Sequence, residues 1–150
     1  MPSIRRTTSE NIDFQNLVVL HDKDLKIKDG EDHDFYAQHN TIDKIHHVVV
    51  CYQDDVAIGC GAFKEFDSNS VEIKRMFVHS DCRGKGIASI VLKELEIWAS
   101  ELNYKSCVLE TGTNNPEAIA LYRKSGYVIV PNYGQYKNIA TSVCLKKSIE

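Results

Sequence analysis

The chain reads as an α+β fold, an α/β arrangement built on one mixed sheet, and three observations lead there. Apolar, β-branched runs recur at short spacing along the sequence and outnumber the helical stretches. Most of these runs follow one another closely enough to pair as antiparallel neighbours, with helical stretches set between them. One run, Val71–Val78, instead hands over to a long helical pattern and then to a further apolar run, the crossover that parallel pairing requires.

In chain order, Ser3–Thr8 forms a first strand. Ser9 then caps an amphipathic stretch running to Leu25, with Ile12, Leu17 and Leu20 turned toward a core. Asp29–Asp43 is acidic and histidine-bearing and reads as a second helix with loops. His46–Tyr52 and Val56–Phe66 are strands joined by a hairpin at Asp54-Asp55. Val71–Val78 (VEIKRMFV) is the next strand. From about Gly86 to Leu102, Ala88, Val91, Leu92, Leu95, Ala99 and Leu102 recur at helical spacing, with Lys93, Glu94, Glu96 and Glu101 on the opposite face. Ser106–Glu110 is a short buried strand. Asn115 caps the following helix, Pro116 takes its first position and Gly126 closes it at C′. Tyr127–Val130 and Thr141–Lys146 complete the sheet.

At 150 residues the chain makes one domain, 1–150, with room for a substantial core. No stretch reads as a signal peptide or a membrane span, and no basic stripe interleaved with aromatics points to nucleic acid. The five cysteines form no CxxC pair and are odd in number, so free thiols in a reducing cytoplasm are expected. Cys82 alone lies outside a strand-like run. Five of the six histidines (His21, His33, His39, His46 and His47) share no ligand spacing with carboxylates or cysteines, so no metal site is expected. Trp98 reads as helix packing. Residues 1–70 hold 13 acidic and 7 basic side chains, net −6, whereas residues 71–150 hold 8 acidic and 11 basic, net +3. That split suits an anionic ligand on one half and a cationic one on the other, or simply two solvated surfaces.

The segment Arg83-Gly84-Lys85-Gly86-Ile87-Ala88 carries the chemistry, because it sits where a strand gives way to a helix. A glycine-rich turn opening a helix offers free backbone N–H groups and the positive end of the helix dipole, which suit a phosphate. Arg83 and Lys85 add mobile positive charge. The same glycines would also serve an ordinary tight turn. The spacing fits neither a P-loop nor the three-glycine dinucleotide motif.

In context, this segment resembles the Gcn5-related N-acetyltransferase family, whose signature Gln/Arg-x-x-Gly-x-Gly/Ala is filled by Arg83, Gly86 and Ala88. A second family block is matched by Asn115-Pro116-Glu117-Ala118-Ile119-Ala120-Leu121-Tyr122, followed by Ser125-Gly126-Tyr127. The resemblance covers about Val56–Val130 well. It implies a twisted mixed sheet of roughly six or seven strands with about four helices. It also implies acetyl-CoA as cosubstrate and an amine acceptor, in a family where homodimers are common.

On that resemblance, acetyl-CoA lies where the fourth and fifth strands part, its pantetheine arm pairing with backbone at Met76, Phe77 and Val78. The pyrophosphate falls to Arg83, Gly84, Lys85, Gly86, Ile87 and Ala88, while Asn115 reaches the cofactor arm or simply caps its helix. Glu72, four residues before Met76 on the same strand, is the candidate base, as a carboxylate in a half-buried strand. Glu110 on the next strand and a water relay are its rivals. Tyr122 is the candidate acid for the departing thiolate, and Tyr133–Tyr136 (YGQY) falls on the acceptor rim. The acceptor is then a primary amine on a small molecule, polyamine, antibiotic or peptide. A non-catalytic acyl-CoA-sensing module is the alternative.

Overall fold

The computed structural model describes residues 2–29 and 45–150. Its strands are β1 (Ser3–Thr7), β2 (His47–Gln53), β3 (Val56–Asp67), β4 (Ser70–Val78), β5 (Ser106–Gly112), β6 (Val128–Val130) and β7 (Ser142–Ser148). Its α-helices are α1 (Ile12–Asp29), α2 (Ile87–Glu101) and α3 (Pro116–Lys124). The strands form one seven-stranded sheet of order β1-β2-β3-β4-β5-β7-β6, mixed because β4 and β5 are parallel and the other neighbours antiparallel. The mixed sheet and the strand count agree with the sequence. The helix expected within 29–43 falls almost wholly outside the described residues.

Both faces of the sheet are covered, which explains why β2 is a continuous apolar run instead of an alternating one. Val49 and Cys51 join Val91, Leu92, Leu95 and Ala99 of α2 in one core. Val48, Val50 and Tyr52 point the other way, onto Phe14, Leu17 and Val18 of α1. The hairpin between β2 and β3 turns at Asp54 and Asp55, whose φ values of 52° and 64° are those of a two-residue type I′ turn.

α1 differs from its sequence reading. Asn11, not Ser9, supplies the cap, its Oδ1 accepting from the Phe14 N–H at 2.9 Å, and the helix runs on to Asp29. Ile12 and Leu20 are exposed, while Phe14, Leu17 and Val18 are buried. The stretch has almost no amphipathic contrast, so periodicity alone misplaces its apolar stripe.

β4 carries a bulge that shapes everything beside it. Cys60 pairs with Phe77 and Ala62 with Lys74, so Gly61 alone faces Arg75 and Met76. Arg75 adopts the left-handed region at φ 58° to make the extra residue fit. A Cβ at Gly61 would lie 2.6 Å from Met76 Sδ, 2.8 Å from Leu95 Cδ1 and 2.9 Å from Val91 Cγ1. Only glycine lets α2 settle against the bulge at that point.

Two stability predictions follow from this packing. Gly61→Ala should cost about 1–3 kcal/mol by overpacking, a fall of roughly 2–4 °C in melting temperature for each kcal/mol lost. A variant that melts with the wild type would show that the helix can back away at no cost. The second concerns His47, stacked on Phe63 at 4.7 Å and edge-on to Trp98 at 4.9 Å. Burial, with His46 adding, lowers its pKa below the ordinary 6.5. The unfolded chain therefore takes up the proton more readily, and stability falls as pH drops below about 6.5. His47→Gln should flatten that acid loss in melting scans between about pH 7 and 5.5.

Candidate functional site

The parallel pairing of β4 with β5 lasts only from Ser70↔Ser106 through Glu72↔Val108. Beyond it β4 follows β3, bulging at Arg75, and β5 follows β7 as far as Gly112. Between the parted strands a cleft opens in two limbs. One, of about 250 Å³, runs along Met76, Phe77 and Val78 to Arg83, Gly84, Ile87 and Ala88. The other, of about 110 Å³, is lined by Glu72, Lys74 and Arg75 on β4, Glu110 and Thr111 on β5, and Tyr136. His21, Leu25, Met76, Asn115, Ala118 and Tyr122 border both limbs.

The larger limb ends at the start of α2. Gly84 and Gly86 sit at φ 77° and 79°, and a Cβ at either would meet nothing within 4 Å. Gly86 takes the N-cap position with no side-chain cap, so the first amides of α2 have no partner from a capping side chain. Left-handed glycines in front of uncapped amides fit a diphosphate, which needs close backbone approach and N–H donors.

Arg83 departs from its expected part. Its Nε donates to the Val78 carbonyl at 3.0 Å and its Nη2 to Asp24 Oδ2 at 3.3 Å, with the guanidinium carbon 5.6 Å from the centre of the Phe77 ring. The side chain therefore anchors the loop to β4 and α1 and is not a mobile cation. It also takes a Val78 carbonyl that strand-like pairing with a ligand would use. Lys85 is exposed, and neither it nor Gly86 borders the cleft. Cys82 is half-buried and packs against the α2 core.

Tyr122 is buried with its ring edge-on to Tyr127 at 5.8 Å. Burial raises its pKa well above the ordinary tyrosine value, and the charge of Glu110 adds to the rise, so the hydroxyl keeps its proton. Asn115 caps α3 through Oδ1, which accepts from the Ala118 N–H at 3.3 Å, and it borders both limbs as well.

Glu72 is buried, where the sequence implied a half-buried strand. Its Oε2 accepts from the Tyr133 hydroxyl at 2.8 Å, and its Oε1 lies 4.0 Å from Lys74 Nζ. Burial lowers the Lys74 pKa, against the opposing pull of Glu72. Glu110 accepts from the Ser142 hydroxyl at 2.7 Å. Tyr136 is buried in the wall and Tyr133 stands edge-on to Phe66 at 4.8 Å, so the YGQY turn does reach the smaller limb. Arg75, also buried, pairs with Asp22 at 2.6 Å.

Sequence reading missed Lys74 as a wall residue, although it shares the Glu72 face of β4 by simple alternation. It missed His21, Asp24 and Leu25 altogether, because their stretch of α1 has no motif. Among the described residues, no group of three His, Cys, Asp or Glu side chains is placed to hold a metal ion. No helix among them is long and apolar enough to cross a membrane.

Comparison with known proteins agrees with this geometry. Residues 14–127 match the model of the acetyltransferase (GNAT) family. An IAA acetyltransferase of Azospirillum brasilense is 31% identical over 102 residues, 67% of each chain. PaiA N-acetyltransferase of Thermoplasma acidophilum, solved in complex with coenzyme A, superposes with a TM-score of 0.76 at 17% identity over 99% of each chain. A GNAT acetyltransferase of Elizabethkingia anophelis with acetyl-CoA bound superposes with a TM-score of 0.68 at 19% identity, over 98% of this chain and 97% of that one. The chain belongs to the acetyltransferase (GNAT) family of enzymes.

Proposed function

We propose that the protein transfers the acetyl group of acetyl-CoA to a primary amine by direct attack within a ternary complex. The observation that carries this reading is the parting of β4 and β5 above uncapped, glycine-fronted amides of α2, with a second limb opening beyond it. In this reading the larger limb takes the cosubstrate and the smaller takes the acceptor. The same reading keeps residues 1–150 as one domain and sets it in a reducing cytoplasm, in line with the five free cysteines.

A lysine-like amine is neutral in only about one molecule in 2,500 at pH 7, roughly 4.6 kcal/mol of unfavourable deprotonation. Glu72 is the proposed base, since its carboxylate lines the acceptor limb and is held in one orientation by Tyr133. A backbone N–H among Met76, Phe77 and Val78 would face the oxyanion formed as the thioester is attacked. Tyr122, protonated and shared by both limbs, would hand its proton to the leaving thiolate. Asn115 would contact the cosubstrate arm while capping α3. Arg83 serves by fixing the loop, so the diphosphate relies on main-chain N–H groups at the start of α2.

Thiol release from acetyl-CoA across a panel of amines tests the whole reading, and silence with every amine would end it. Tyr122→Phe should lower kcat by about 10²-fold, within the range for general-acid help, while calorimetry finds acetyl-CoA bound as in the wild type. Unchanged turnover would remove the acid role. Glu72→Gln should lower kcat/KM by about 10²–10⁴-fold. Glu110→Gln should cost far less, and the reverse result would move the base to β5.

A further inference from the structure

We infer that the acceptor enters as an ammonium ion with no carboxylate near its amine, and that Glu110 sets this preference. The preference presupposes the amine-transfer reading above and narrows its substrate class. It comes from the charge balance of the smaller limb among the described residues. Two carboxylates, Glu72 on β4 and Glu110 on β5, line that limb together with two cations, Lys74 and Arg75. Arg75 is already answered from α1, where Asp22 Oδ1 lies 2.6 Å from its Nη1. Lys74 feels the charge of both Glu72 and Glu110, so one ammonium serves two carboxylates. With Asp22 included, three acidic groups meet two basic ones, an excess of one negative charge. The Glu72 and Lys74 side chains are each 5% exposed, so these charges act through little water.

Glu110 is the carboxylate left over once Glu72 is assigned to the proton. It stands on the far side of the parting from Glu72, with Oε2 accepting from the Ser142 hydroxyl at 2.7 Å. Its charge reaches Tyr122, where the two limbs meet, and Tyr136 in the wall. An arriving ammonium supplies the positive charge that this set lacks and leaves the limb neutral. A carboxylate near the amine would cancel that gain and set a further negative charge against Glu72 and Glu110, a repulsion that selects against it. Ile73, Met76 and Leu109 complete the wall and suit an uncharged chain, and the limb's volume of about 110 Å³ favours a compact one.

The step balances without another reagent. The nitrogen bonds to the acetyl carbon, and the C–S bond breaks. Of the two protons that the ammonium sheds, Glu72 passes one to water. The other replaces the proton that Tyr122 gives to the thiolate. The products are an N-substituted acetamide and coenzyme A.

The test is thiol release with paired acceptors of matched chain length and amine basicity, butylamine with 4-aminobutanoate. Every other accepted amine is paired with its analogue gaining or lacking a carboxylate. Measurement at pH 8, above the ordinary histidine range, keeps His21 on the same wall from adding a charge. The member without a carboxylate should lead in kcat/KM by at least about tenfold. Glu110→Gln should bring that ratio toward one, chiefly by lowering KM for the carboxylate-bearing member, whereas Glu110→Asp should keep it. Carboxylate-bearing acceptors used equally well or better by the wild type would overturn the inference while leaving amine transfer standing. A folded, active Glu110→Gln variant that keeps the ratio, or a Glu110→Asp variant that loses it, would overturn the role of Glu110. No thiol release with any amine would instead overturn amine transfer itself, and the inference with it. The wild-type ratio decides the acceptor class even if Glu110→Gln does not fold.

Discussion

Backbone groups at a parted strand need partners, and this requirement organises the molecule. After Glu72 and Val108 the facing edges of β4 and β5 no longer pair with each other. Each remains paired on its outer side, β4 with β3 and β5 with β7. The bulge at Arg75 lies just past the point of parting, where an extra residue bends β4. A non-glycine residue in the left-handed region costs on the order of 1–2 kcal/mol. Here the Arg75 side chain is buried and its guanidinium is held by Asp22 at 2.6 Å. Gly61 completes the device from the other side by letting α2 lie directly against the bulge. The cleft is therefore built into the sheet and does not depend on a moving loop.

The charge asymmetry of the sequence does not translate into the site as a simple reading suggests. Glu72, Lys74, Arg75 and Glu110 all come from the second half of the chain, so the smaller limb mixes both signs by itself. From the acidic first half the described residues contribute His21 and Leu25 to the walls and Asp24 as the anchor of Arg83. Net charge over seventy residues averages over surface and site alike.

Much of the fold was legible because its signals were local. The Asp54-Asp55 hairpin, the Asn115-Pro116 helix start and the Gly126 stop each depend on residues within a turn of one another, and each lies where the sequence implies. The apolar runs located all seven strands for the same reason. The α1 cap failed because Ser9 and Asn11 are both competent caps, and only tertiary packing of Phe14 chooses between them. Tyr122 and Asn115, singled out from their block, both border the cleft. The partners of Arg83 were not, because the Asp24 contact joins residues 59 apart. The burial of Glu72 was misjudged since alternation along β4 describes a strand with one wet face, whereas this strand is covered on both.

The bond from Tyr133 to Glu72 bears on how a proton leaves the acceptor. With Oε2 accepting from Tyr133 at 2.8 Å, Oε1, which lies 4.0 Å from Lys74 Nζ, can take an incoming proton without disturbing that bond. In the proposed reading, proton acceptance therefore falls to that edge of the carboxylate. A strong base is not required there, because the amine nitrogen becomes far more acidic as its bond to the acetyl carbon forms. What the step needs is an oxygen already placed when that acidity develops. Buried between two strands and tied to the YGQY turn, Glu72 is held in place by contacts 61 residues apart in the sequence. The turn before β7 is thus coupled to the proposed base through the Tyr133 hydrogen bond, and its position is fixed in turn by Tyr136 packed against Cys144 of β7.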